Sequence, residues 1–324
     1  MREEWTCLLK DRYIGSVRFF KNLILLAVII AILIPVGFAV YYRNRLTGLQ
    51  AETEDLSYQI DVLMQKQAET EALAELPEPE PGMDSEAPQG YDMEHLAYED
   101  LYPDFYAPQP YDATESIEKT MYLTFDDGPS CQTERILDIL ADREVKATFF
   151  VIGREDEKNQ ERLRQIAEQG HTIGMHSYSH DYEKIYDSVE AFLDDFYKGF
   201  CQIRDVTGVT PTVFRFPGGT INAYNRGMYK QLMAEMLRRG FVPFDWNLSA
   251  GDAAKTKVSA QTIVNNVVGH ASDKIRGVVL MHDAAARGST VDALGPMIDE
   301  LREMGYRFEA LTPHTKPVVY GYRY

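Results

Sequence analysis

The carboxyl-terminal two-thirds of this chain reads as an α/β domain, a distorted (β/α) barrel of about seven parallel strands. Two observations predict it. From Ile117 to about Pro313, seven apolar β-type runs alternate with six stretches of helical spacing, the pattern of βα units around a parallel sheet. The domain, at roughly 200 residues, is also short for a full eight-fold barrel. A shortened barrel therefore fits best, with an open doubly wound sheet as the alternative. In either, ligands gather at the carboxyl ends of the strands.

The chain preceding that domain divides into four parts. Residues 1–21 are a basic tail carrying Arg2, Lys10, Arg12, Arg18 and Lys21. Asn22 to Tyr42 contains no charged residue, and as a helix it would span about 32 Å, enough for a bilayer core of roughly 30 Å. Arg43 and Arg45 follow, but the greater positive charge lies before the span. The expectation is a single-pass protein of the cell membrane with a cytoplasmic amino terminus and an extracytoplasmic domain. A cleaved signal peptide is the competing reading; the length of the run and the lack of a small-x-small site after it favour an anchor.

Residues 43–76 read as a helical stalk. Leu46, Leu49, Leu56, Ile60 and Leu63 form a seam of under three heptads, which fits a weak homodimer or, equally, a solvated helix. Residues 77–116 open on Pro-Glu-Pro-Glu-Pro and read as an acidic, disordered linker. Residues 51–118 hold 19 Asp and Glu against one Lys, while the whole chain has a net charge of −17. The acidity therefore belongs to this segment and not to the domain. No basic stripe marks a nucleic-acid partner. Cys7, Cys131 and Cys201 have no metal-site spacing; Cys131 and Cys201 could pair, but free thiols fit better.

The domain itself occupies residues 117–324. Its strand candidates are Thr120–Phe125, Ala147–Ile152, Thr172–Met175, Val213–Phe216, Val242–Asp245, Gly277–Met281 and Tyr306–Leu311. Helical spacing covers Glu134–Asp142, Gln160–Gln169, Ser188–Val206, Arg226–Arg239, Ala260–His270 and Val291–Met304.

Five strand ends carry reactive side chains. Asp126 and Asp127 end the first run, before a Gly-Pro turn that would let both carboxylates converge. His176 and His180 follow the third; if that turn is helical, their spacing brings both imidazoles to one side, as metal sites use. Arg215-Phe-Pro-Gly-Gly219 ends the fourth, and its glycines offer open N–H groups suited to an oxyanion. Asp245-Trp246 ends the fifth and His282 the sixth. His95, His171, His270 and His314 fall outside this pattern and read as structural or surface residues.

In this order the motifs resemble those of the polysaccharide deacetylase family, carbohydrate esterase family 4. Thr124-Phe-Asp-Asp-Gly-Pro129 is similar to its first motif, His176-Ser-Tyr-Ser-His180 to its second, Arg215-Phe-Pro-Gly-Gly219 to its third, Asp245-Trp246 to its fourth and Leu280-Met-His282 to its fifth. The resemblance implies metal-dependent hydrolysis of N-acetyl groups on the amino sugars of an extracytoplasmic glycan, peptidoglycan foremost. The bond would be a carbon–nitrogen bond other than a peptide bond, in N-acetylglucosamine or N-acetylmuramic acid. It implies a divalent metal, Zn2+ before Co2+, Ni2+ or Mn2+, on Asp127, His176 and His180. Asp126 would be the general base, paired with Arg215. His282 would be the general acid, held by Asp245. Gly218, Trp246 and Leu280 would contact substrate. Many relatives have Tyr where this chain has Gly218, which bears on substrate choice more than on chemistry. The alternatives are an O-acetyl polysaccharide esterase or a non-catalytic glycan-binding domain on the same fold.

Overall fold

The computed structural model describes residues 21, 23–25, 96–108, 117–253 and 258–321. Residues 21 and 23–25 are helical. The rest of the expected anchor, the whole stalk and most of the expected linker lie outside the described residues. Among the described residues no helix is long and apolar enough to cross a membrane.

Among the described residues eight strands form one parallel sheet. They are β1 Thr120–Asp126, β2 Thr148–Val151, β3 Thr172–Met175, β4 Val213–Phe214, β5 Val242–Pro243, β6 Leu248–Ser249, β7 Arg276–His282 and β8 Arg307–Phe308. Their order is β5-β4-β3-β2-β1-β7-β6, with β8 beside the start of β1. The connectivity excludes a flat sheet. Six inter-strand steps of about 4.8 Å would put β5 and β6 about 29 Å apart. Only Phe244–Asn247 joins them, and the five Cα steps from Pro243 to Leu248 reach at most about 18 Å. The sheet must curl until its edges meet. Residues 242–249 then act as one interrupted strand, bonding β4 with the first half and β7 with the second. The expected distorted barrel is the result, and the open doubly wound sheet is ruled out.

Among the described residues seven helices surround the sheet: α1 Thr133–Asp142, α2 Glu157–Glu168, α3 Tyr182–Ile185, α4 Val189–Thr207, α5 Tyr229–Arg238, α6 Ala260–Val268 and α7 Gly288–Glu303. Side-chain caps begin several of them. Asp156, Ser188 and Ser259 accept from the backbone N–H of Asn159, Ala191 and Thr262, satisfying donors that the first turn leaves free. Ser188 is thus a cap, not the first helical residue that its spacing suggests.

Period-two alternation sorts the strands into two layers. Leu123, Phe149, Val279 and Met281 join the outer core with the helices. Tyr122, Phe150, Val213, Val242, Phe244, Val278 and Leu311 form a separate interior cluster. Thr124 and Asp126 share the parity of Tyr122, Arg215 that of Val213, and Leu280 and His282 that of Val278. Gly174 lies on β3 with the same parity as His176. A Cβ there would sit 2.6 Å from the Phe150 ring, so interior packing requires glycine.

The acidic linker needs correction at residues 96–108. A 3-10 turn at Ala97–Asp100 leads to Phe105, which is fully buried. The Arg239 guanidinium, also fully buried, donates to the carbonyls of Tyr98, Leu101, Tyr102 and Phe105 and to Glu235 Oε1. Tyr102 Oη donates to Asp194 and stacks on Tyr197. Three aromatic side chains offset the acidity that reads as disorder, and the segment docks as a strap. Cys131 and Cys201 form no disulfide among the described residues.

Two variants test the strap. Phe105→Ala should cost about 3–5 kcal/mol of unfolding free energy, the usual range for emptying a buried aromatic site. Arg239→Met should cost a similar amount, because Glu235 is left buried with half its partners. Denaturant melts check both; a change under 1 kcal/mol in either would mean that the strap is not part of the folding unit.

Candidate active site

The site lies at the carboxyl ends of β1, β3, β4 and β7, and the register of the sheet assembles it. Asp126 pairs with His282 across β1 and β7. Both have interior parity, so the two side chains meet at the barrel mouth. Asp127 would point away if the strand continued. It adopts a left-handed φ of 71° instead, which turns its carboxylate back toward the mouth. Arg154 holds that turn, donating through Nη2 to Asp127 O and through Nε to Pro129 O. The expected convergence of the two aspartates is therefore present, at the cost of a conformation that non-glycine residues rarely take.

His176 and His180 are not on a helical turn. The segment between them is a bend with positive φ at Ser177 and His180. The Asp195 carboxylate accepts from the N–H groups of Tyr178 and Ser179, and Ser177 Oγ accepts from His180 N–H. The two rings stand 5.3 Å apart. His176 Nδ1 lies 2.9 Å from the Arg215 carbonyl; it donates there, which leaves the Nε2 lone pair facing the site. Burial pulls its pKa down to about 3, so the ring is neutral and available as a ligand.

One donor atom each from Asp127, His176 and His180 lies within 4.8 Å of the others. His180 Nε2 is 3.2 Å and His176 Nε2 3.7 Å from Asp127 Oδ1. Asp127 Oδ1 is buried with no hydrogen-bond partner among the described residues. A buried carboxylate oxygen left orphaned between two imidazoles fits a cation as its missing partner.

Asp126 is differently engaged. Its Oδ1 accepts from Arg215 Nη1 at 2.7 Å, and its Oδ2 lies 3.7 Å from His176 Nε2. Burial pushes its carboxyl above the usual range, with Arg215 and His282 pulling the other way. Arg215 has no exposed surface. It also donates to Thr124 Oγ1 and to the carbonyls of Phe244 and Asp245, and it stacks on Phe150 at 4.2 Å.

The partner of His282 is Asp252, not Asp245. His282 Nδ1 lies 2.8 Å from Asp252 Oδ1, and Asp252 Oδ2 accepts from His282 N–H and Thr290 Oγ1. Burial works against the imidazolium, but Asp252, Asp126 and Asp127 together hold its pKa up to about 9. Asp245 has the parity opposite to Val242 and Phe244, and its carboxylate accepts instead from the N–H groups of Thr220 and Tyr320. It ties the third-motif loop to the chain's last described residues and supports Arg215 only through its carbonyl. Asp252 follows β6, a two-residue strand without a legible signal, which explains why sequence reasoning missed it.

The remaining expected residues also reach this end of the barrel. Gly218 has a φ of 78°, and no described residue accepts from its N–H. Leu280 lies on the interior face between Val278 and His282 and is nearly buried. Trp246 packs on the interior cluster and edge-on to Tyr320. Asp283 is a further supporting residue. It is fully buried, accepts from the hydroxyls of Ser130 and Thr133, and donates its N–H to Asp126 O. His171 is structural: its Nδ1 accepts from Ala147 N–H.

Comparison with known proteins gives a consistent result. A family profile described as polysaccharide deacetylase matches residues 113–237. A putative polysaccharide deacetylase of Bacillus subtilis is 32% identical over 204 residues, covering 62% of this chain and 70% of that protein. A peptidoglycan-N-acetylglucosamine deacetylase of Bacillus cereus is 35% identical over 193 residues, 59% of this chain and 85% of the relative. The crystal structure of the catalytic domain of peptidoglycan N-acetylglucosamine deacetylase from Eubacterium rectale superposes with a TM-score of 0.61 at 36% identity. It covers 64% of this chain and 95% of that one.

The two aspartates are separable by pH. His282 has a raised pKa, so its ion pair contributes fully below about 6.5 and is lost as pH rises through about 9. Asp252→Asn should move the imidazole titration, followed by NMR, down toward the ordinary histidine value. Asp245→Asn should leave it near 9. The reverse outcome would return the pairing to Asp245.

Proposed function

Because this chain belongs to the polysaccharide deacetylase family, carbohydrate esterase family 4, we propose that it hydrolyses the N-acetyl groups of peptidoglycan N-acetylglucosamine. The observation that carries the reading is the pairing of Asp126 with His282 across two strands, beside three converging ligand atoms. An amide needs a base for the attacking water and an acid for the departing nitrogen, and here the two flank one site.

Asp127, His176 and His180 would hold a divalent cation, Zn2+ foremost, given two imidazoles and one carboxylate. Such an ion supplies Lewis acidity and makes water nucleophilic near neutral pH. Asp126 takes the proton of the attacking water. Burial raises the proton affinity of its carboxyl, with Arg215 pulling the other way, so it is a readier proton acceptor than a solvated aspartate. The Gly218 N–H, which donates to no described residue, donates to the oxygen that gains charge. His282, kept protonated by Asp252, delivers a proton to the leaving amine. Leu280 and Trp246 border the space for the acetyl methyl group. A non-catalytic domain would have no need of a paired base and acid in this arrangement.

The proposed setting is extracytoplasmic, with residues 22–42 as the membrane anchor. With the strap at 96–108 docked on the domain, protease added to wall-stripped cells should cut before residue 96 and release an active fragment. Protection until the membrane is breached would reverse the orientation.

Acetate and free amine should appear in equal amounts when the full chain acts on isolated glycan strands. A chelator should stop release and Zn2+ restore it. Acetate without new amine would point to ester hydrolysis. His176→Ala should purify with little metal, since two ligands hold it poorly; full occupancy in that variant would refute the ligand set.

A further inference from the structure

Tyr182 begins α3 two residues after His180, and its ring stands between the candidate ligands and the third-motif turn. It meets His180 edge-on, 5.3 Å between centroids at 87°. On another side it lies 5.2 Å from Tyr224. A Cβ at Gly218 would come within 2.9 Å of Tyr182 Cε1 and 3.2 Å of its hydroxyl. A side chain at 218 and the Tyr182 ring therefore exclude each other. The aromatic group on this side of the mouth comes from α3, and glycine at 218 makes room for it. The Tyr182 hydroxyl hydrogen-bonds to no described residue.

Tyr224 is 53% exposed on a loop that is tightly tied. Asn222 Oδ1 accepts from the N–H groups of Tyr224 and Asn225, and Asn222 Nδ2 donates to the carbonyls of Pro217 and Gly219. The buried Asn225 side chain donates to Thr220 O. Behind Tyr182, Tyr186 is anchored by its hydroxyl to Pro217 O. An exposed aromatic ring is thus carried on a hydrogen-bonded loop beside the reaction centre, which lowers the ordering cost of binding.

We infer that Tyr182 and Tyr224 form the wall of a sugar subsite, where a pyranose of the glycan stacks its C–H face on Tyr224 while the Tyr182 hydroxyl donates to that sugar. The inference rests on the deacetylase reading for its substrate class. Aromatic faces flanked by a few fixed polar groups are the usual lining of such sites.

The test is binding of a β-1,4-linked N-acetylglucosamine tetramer to the full chain, by calorimetry, with acetate release followed separately. Tyr224→Ala should raise the dissociation constant about tenfold, the loss of one stacking contact. Tyr182→Phe should raise it about fivefold, the loss of one neutral hydrogen bond. Both variants should keep the metal content of the unmodified chain. Weakened binding without acetate release by the unmodified chain would keep the wall and sink the deacetylase reading. Release with unchanged binding in both variants would do the opposite. No measurable binding of the tetramer would overturn the wall.

Discussion

The Arg215 guanidinium is the fixed point of this active site. It is fully buried and cannot lose its proton inside a protein, so the fold must supply compensation around it. Four acceptors do so: Asp126 Oδ1, Thr124 Oγ1 and the carbonyls of Phe244 and Asp245. They come from β1 and from the break between β5 and β6, and one side chain therefore ties two distant parts of the barrel together. The Arg215 carbonyl in turn fixes the tautomer of His176. Removing the arginine would strand a carboxylate in the interior, which typically costs about 3–5 kcal/mol. The same residue thus sets the charge of the base, the direction of a ligand ring and the closure of the sheet.

The barrel's geometry explains why chemistry concentrates where it does. Residues 242–249 must bridge the sheet's two edges with a four-residue break; the N–H groups of Phe244 and Asn247 still donate to Phe214 O and Val278 O, but the Phe244 and Asp245 carbonyls turn to a side chain. Arg215 takes both of those carbonyls, while Asp245 N–H donates to Val318 O. Beyond the break, β6 places Asp252 next to the end of β7, within reach of His282. The acid's partner is thus a consequence of how the sheet closes.

Much of this was legible in the residues, and parity was the part with physical content. Asp126, Arg215 and His282 share the interior phase of their strands, and His176 that of Gly174 on β3, so a strand-by-strand reading finds them together. What stayed hidden depended on tertiary contacts. Asp245 sits beside Trp246 in a motif-like string, but its phase turns it outward to Thr220 and Tyr320. Asp252 sits in Ala250-Gly-Asp-Ala253, with no periodic signal around it. The strap at 96–108 was masked by acidic neighbours, although Phe105 and three tyrosines could have raised the question. The His176–His180 spacing suggested a helical turn, whereas a bend held by Asp195 delivers both rings.

The central claim is a division of labour between adjacent carboxylates: Asp127 serves the cation, and Asp126, turned to Arg215, serves the proton. Asp126→Asn tests it most directly, because the amide oxygen can still accept from Arg215 while the basic oxygen is gone. Metal content and turnover should be measured on the same preparation. Full metal occupancy with a rate reduced about 10²–10⁴-fold, the usual worth of a general base, is the expected result. Loss of metal together with activity would contradict the division and make Asp126 a ligand.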